Sequence, residues 1–110
     1  MTSRFPVAPR SERTVDGVVF DSKREAKRYA ELKLLQRAGA ISALEVQPSF
    51  EVRICGHLFC RYTADFGYVE NGKPVVEDTK STGTRKDAAY RLRKKAAELA
   101  HGIKITEILA

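Results

Sequence analysis

The dipeptide Asn71-Gly72, set between two runs of strand-forming residues, constrains the fold of this chain more than any other feature. Both central residues of a type I′ turn need positive φ, and Asn-Gly adopts it at little steric cost. The runs ending at Glu70 and starting at Lys73 therefore read as a hairpin. A two-residue loop also sets the register. With Glu70 facing Lys73, Asp65 falls opposite Asp78 and Thr63 opposite Lys80. Strand side chains alternate, so Asp65, Asp78 and Lys80 project from one face and Glu77 from the other.

Two carboxylates in that register stand about 5 Å apart. Like charges so placed destabilise a sheet unless a cation sits between them. Lys80 is one candidate, in which case the group is a local salt bridge on a solvated face. A hard divalent cation such as Mg²⁺ is the other, because it takes carboxylate oxygens at this kind of separation. The adjacent apolar pair Val75-Val76 indicates that both faces of the strand are covered, which favours the metal.

Upstream, Val15–Phe20 reads as a short β-turn-β lead-in. Ser22 and Glu25 form the S-x-x-E pattern of a capping box, and the helix they open runs to about Ala38 and stops at Gly39. Tyr29, Leu32 and Leu35 follow Glu25 at helical spacing, while Lys23, Arg24, Lys27 and Arg28 take the other side. Glu25 has two readings: a cap that turns back on its own backbone, or an acid aimed at the sheet.

Residues 41–46 read as a connection into Gln47-Pro48. A strand follows at Phe50–Ile54, then a turn at Gly56-His57, then one long strand from Leu58 to Val69. The middle of the chain is thus expected to be a three-stranded antiparallel meander. Beyond Lys80, Thr84 and Asp87 resemble a second capping box, opening a helix that ends at Gly102. Its expected core stripe is Ala89, Leu92, Ala96 and Leu99. The remainder is basic: Arg85, Lys86, Arg91, Arg93, Lys94 and Lys95 form either a solvated face or a face that tracks phosphates. Tyr90 and Lys94 stand one turn apart and could share a cleft; Tyr90 reads equally as a core residue. The alternating Ile103–Leu109 closes the chain as a strand, parallel to the one bearing Lys80 by a right-handed crossover. The order of elements is α-β-β-β-α-β.

Asp65, followed by Asp78-Thr79-Lys80 at the end of the next strand, resembles the signature of the PD-(D/E)XK nuclease superfamily. Glu25 stands where a helix glutamate often completes that pattern. The similarity extends over nearly the whole chain and is to small phage and prophage members, Holliday-junction resolvase-like enzymes among them. It implies an α/β single domain with a restriction-endonuclease-like core, a mixed sheet flanked by helices. It implies a Mg²⁺-dependent endonuclease (Mn²⁺ substituting) that hydrolyses DNA phosphodiester bonds, with branched DNA in phage recombination or repair as the substrate. Glu25, Asp65, Asp78 and the Thr79 carbonyl would hold the metal, and Lys80 would orient or deprotonate the attacking water. Lys23, Arg24, Arg85, Lys86, Tyr90 and Lys94 would contact DNA, and a homodimer is expected. Two departures from the pattern stand out: Asp78 replaces the commoner glutamate, and Ala64 replaces the usual proline before the first acid.

The net charge of +6 fits a polyanionic partner. Residues 1–14 carry two prolines and three arginines without periodicity and read as a flexible basic arm ahead of a domain at 15–110. No apolar run is long enough to span a membrane, and no apolar signal core precedes the domain, so a cytoplasmic protein is expected. Cys55 and Cys60 read as buried structural thiols rather than a disulfide or a zinc site. No glycine-rich phosphate loop or nucleophilic triad is visible. Two other functions fit the same residues. One is a non-catalytic nucleic-acid-binding module that keeps the fold; the other is an interaction protein whose acids merely pair with Lys80.

Overall fold

The structure, a computed structural model, describes residues 8–80 and 86–109, with the side chains of Lys80 and Leu109 outside that description. The chain opens with a 3-10 turn, Arg10–Arg13, and a miniature hairpin of β1 (Thr14–Val15) and β2 (Val18–Val19). Helix α1 (Lys23–Arg37) leads to β3 (Ser42–Val46), β4 (Ser49–Ile54), β5 (His57–Thr63), β6 (Phe66–Glu70) and β7 (Lys73–Lys80). Helix α2 (Ala88–His101) and β8 (Ile105–Leu109) complete it. The main sheet has the order β3-β6-β7-β8, and β4-β5 form a separate two-stranded sheet. The protein is thus a single α/β domain on a mixed sheet.

The Asn71-Gly72 turn forms as expected, with φ of 53° and 75°. It sets Glu70 against Lys73 and carries the register down to Phe66 opposite Glu77. Pro74 is tolerated because β8 joins β7 only from Val76 onward, so no ladder partner is missed on that side. Strand β8 runs parallel to β7, as the crossover required.

The sheet divides two cores. On the α1 face, Leu32, Tyr29 and Ala26 pack on Phe20, Ile41 and Phe66. The Phe20, Tyr29 and Phe66 rings lie 5.0–6.0 Å apart by centroid. On the α2 face, Tyr90 and Ala97 pack on Val76, Ile105 and the inner side of the β4-β5 hairpin, through Val52, Tyr62 and Ala64. Helix α1 begins at Ser22, whose hydroxyl accepts from the Glu25 N–H at 3.2 Å. Helix α2 begins at Asp87, which accepts from the Ala89 and Tyr90 N–H groups, and ends at Gly102 in the left-handed region.

Five features differ from the sequence expectations. First, residues 42–46 are a strand rather than a connection, paired antiparallel with β6. Second, the long strand breaks at Ala64-Asp65, and Thr63 pairs with Ser49 rather than Lys80. The chain changes sheets there: the Ala64 N–H donates to the Pro48 carbonyl, and the Gln47 N–H to that of Asp65. Third, the β4-β5 turn is Cys55-Gly56, one residue early, because both adopt positive φ; Cys55 is exposed there, and both cysteines are free thiols. Fourth, the described part of the N-terminal arm is docked, with Arg13 donating to the carbonyls of Ala8 and Phe20 at 2.8 Å each. The rest of that arm lies outside the described residues.

Fifth, α2 is rotated from its expected stripe. It buries Tyr90 and Ala97, while Leu92 and Leu99 are 61% and 73% exposed. Apolar residues surround this helix, so period alone does not select a face. Contacts at its ends do: Tyr90 packs over Tyr62, and the His101 ring meets Phe50 edge-on and bonds the Glu51 carbonyl at 2.7 Å. No helix among the described residues is long and apolar enough to cross a membrane.

Leu32 is fully buried, so Leu32→Ala should lower stability by about 2–5 kcal/mol. Leu92→Ala should change it by no more than about 0.5 kcal/mol. Urea unfolding of both variants checks the rotation of α2, and a large loss at Leu92 would contradict it.

Candidate acid-pair site and basic groove

Asp65 and Asp78 meet where β6 begins and β7 ends. The Asp65 N–H donates to Asp78 Oδ1 at 2.9 Å, and the Thr79 N–H donates to Asp65 Oδ2 at 2.6 Å. Each aspartate therefore satisfies a backbone donor beside the other. The break at Ala64 explains the second bond. Past Asp65 no β6 backbone lies beside β7, and the Asp65 carboxylate takes the place of the missing strand. Asp78 is fully buried and Asp65 half-buried. Asp78 lies on the α2 face, as does Val76 two residues earlier.

The pair extends across the sheet. In the β7-β8 register Asp78 sits beside Glu107, which accepts an ion pair from Lys94 of α2 at 2.8 Å. Both members of that pair are about one-fifth exposed. A groove of about 700 Å³ runs alongside, lined by Lys86, Arg91, Lys94 and Lys95, with Ala88, Leu92, Glu98 and Glu107. Glu98 is committed within the fold, its Oε2 accepting from the Ile105 N–H at 2.9 Å. Cations outnumber acids on this wall, which gives it the character of an anion-binding surface.

The other face of β7 carries a different polar inset. Glu77 is 1% exposed and receives the Arg28 guanidinium through two bonds, Nε to Oε1 at 2.6 Å and a terminal nitrogen to Oε2 at 3.0 Å. The Tyr68 hydroxyl donates to the same carboxylate at 2.8 Å. Hydrogen bonding to Glu77 holds the Arg28 pKa well above its ordinary value. Burial, reinforced by Glu77, pushes the Tyr68 phenol up to about 12.

Of the site residues expected from the sequence, Asp65, Asp78 and Thr79 are brought together. Lys86 and Lys94 line the groove beside them. Tyr90 is 6% exposed with its ring packed on Tyr62, so of its two readings the core one holds. Lys23 and Arg24 lie exposed on α1, across the sheet from the groove, and Lys23 pairs loosely with Glu12 at 3.9 Å. Arg85 and the Lys80 side chain lie outside the described residues. Glu25 is half-buried in the first turn of α1. Among the described residues no group of three or more His, Cys, Asp or Glu side chains is gathered closely enough to hold a metal ion.

Glu107 and Arg28 were not expected at all. Glu107 becomes visible only once the parallel register is known, and no turn sets that register from sequence. By helical spacing Arg28 falls on the side of α1 away from the apolar stripe, yet its long stem carries the guanidinium to Glu77 in the sheet.

A family model matches residues 10–106, nearly the whole domain including the acid pair, α2 and the start of β8. The chain belongs to the DUF1064 family. That family is described as proteins of unknown function. No curated protein and no solved structure matches the chain.

The elevated Tyr68 pKa carries a pH signature. Its folded value lies above its ordinary 10.0, so the unfolded chain loses the phenolic proton first and stability falls as pH rises from about 10 toward 12. Tyr68→Phe should cost about 1 kcal/mol near neutrality through the lost bond to Glu77. The gap between variant and wild type should then narrow at high pH. Urea unfolding of the two proteins across that range tests this, and a constant gap would refute it.

Proposed function

We propose that the protein is a metal-dependent endonuclease that hydrolyses DNA phosphodiester bonds at the Asp65-Asp78 pair. The observation that carries this reading is the meeting of two carboxylates at the end of β7, one of them fully buried, beside a groove rich in lysine and arginine. The order α1-β3-β6-β7-α2-β8 supports the reading as well: with β3 in place of the strand expected at 50–54, and the β4-β5 hairpin inserted, it is again α-β-β-β-α-β.

The donor set fits a hard cation. Two carboxylates and the Thr79 carbonyl offer oxygen only, and Mg²⁺ is commonly held by one or two carboxylates with substrate and water completing its shell. A carboxylate offers about four acceptor positions, so one backbone N–H on each aspartate is compatible with coordination. Bound there, Mg²⁺ or Mn²⁺ would supply a nucleophilic water and stabilise charge on the phosphate. The chain's own residues do the rest. Asp65 and Asp78 fix the place of reaction because Asp78 is tied to the Asp65 N–H and Asp65 to the Thr79 N–H. Lys80, two residues beyond Asp78 on the same strand, orients or deprotonates the attacking water or stabilises the pentacovalent phosphate. Lys86, Arg91 and Lys95 bind the phosphates of the strand beside the scissile bond. Branched DNA in phage recombination or repair, action as a homodimer and a cytoplasmic location belong to the same proposal.

One observation favours a second reading, a non-catalytic nucleic-acid-binding module. The backbone bonds that Asp65 and Asp78 accept give both acids a structural task without any metal. Cleavage of linear, flapped and four-way DNA in Mg²⁺ separates the two. Wild type should cut, and Asp78→Asn and Lys80→Ala should each slow cutting by about a hundredfold or more. Absence of cutting in both Mg²⁺ and Mn²⁺, with DNA binding unchanged in the variants, would leave the binding module.

A further inference from the structure

The Arg28-Glu77-Tyr68 cluster lies on the face of β7 that the acid pair does not use. The Glu77 side chain is 1% exposed and that of Arg28 23%, so the contact is largely removed from water. Taking a carboxylate and a guanidinium out of water offsets much of their attraction, and apolar replacements of such pairs are often neutral or stabilising. Stability alone is therefore a poor account of it. What a two-pronged arginine-carboxylate contact does provide is direction, since the planar fork meets the carboxylate in one orientation.

That direction bears on the acid pair through the strand itself. Successive side chains of a strand point to opposite faces, so a twist of β7 that moves Glu77 also swings Asp78. Glu77 is held from α1 by Arg28 and from β6 by Tyr68. The Glu77 carbonyl also accepts from the Asp65 N–H at 3.2 Å, the same N–H that Asp78 Oδ1 receives. One peptide unit thus links the cluster on one face to both aspartates on the other.

We infer that Arg28 and Tyr68, acting through Glu77, are positioning residues that hold Asp78 in register with Asp65. The inference rests on the proposed role of those two acids as a metal site, and it assigns to α1 the setting of that site's geometry. An apolar exchange separates positioning from stability. The double variant Arg28→Met/Glu77→Leu should keep its urea midpoint close to wild type. Hydrogen exchange at the Thr79 amide, which reports the Asp65-Thr79 bond, should accelerate about tenfold as the corner loosens. Mn²⁺ affinity by titration calorimetry should fall about tenfold or more. The turnover of DNA should drop with KM little changed.

Arg28→Lys is the control if the double variant does not fold. It keeps the charge but not the fork, and should show the same faster Thr79 exchange. A folded variant with Thr79 exchange at the wild-type rate overturns the inference, as does a loss of urea stability that accounts for every other change. If wild type neither binds Mn²⁺ nor cuts DNA, the nuclease reading fails by itself. The Thr79 exchange rate still decides whether the cluster sets the register of the two acids.

Discussion

The pairing of β6 with β7 is the constraint on which the rest of the molecule depends. Because the turn between them has two residues, both with positive φ, their register has no freedom. Everything polar at the centre follows from it. Glu77 is sent to one face with Phe66 and Tyr68, and Asp78 to the other beside the Asp65 corner. A slip of one residue would exchange them, placing Asp78 against the aromatic cluster under α1 and Glu77 beneath α2.

That single strand therefore serves two environments. Beneath α1, the buried carboxylate is matched by a guanidinium and a phenol, and the surrounding core is aromatic and tightly packed. Beneath α2, the core is built on Tyr90 and Ala97 of the helix, and Glu107, the strand neighbour of Asp78, lines the groove.

Much of this was legible in the residues, for reasons that differ by element. Asn71-Gly72 declared the hairpin because few other dipeptides adopt that turn. Ser22 and Gly102 declared helix ends, and a strand following a helix declared a parallel return. The break at Ala64-Asp65 was not legible, because apolar and polar residues run through it with no glycine or proline to mark it. The facing of α2 was hidden by alanines on several sides. Glu107 was hidden by a register that only tertiary packing sets, and Arg28 by a charge that made it look solvent-bound. The errors thus fall where long-range contact overrode local pattern. The acid pair was found because the turn brings it together locally.

The β4-β5 hairpin leaves the sheet after Val46 and rejoins it at Phe66, and those two residues are direct partners. Its base is closed by the bonds from Ala64 to Pro48 and from Gln47 to Asp65. Its lower half supplies Val52, Tyr62 and Ala64 to the core under α2. Only the tip, where Ile54, Leu58 and Phe59 are exposed, is released from both duties. The domain is thus modular at one spot. The hairpin can grow, shrink or change its tip without disturbing the acids.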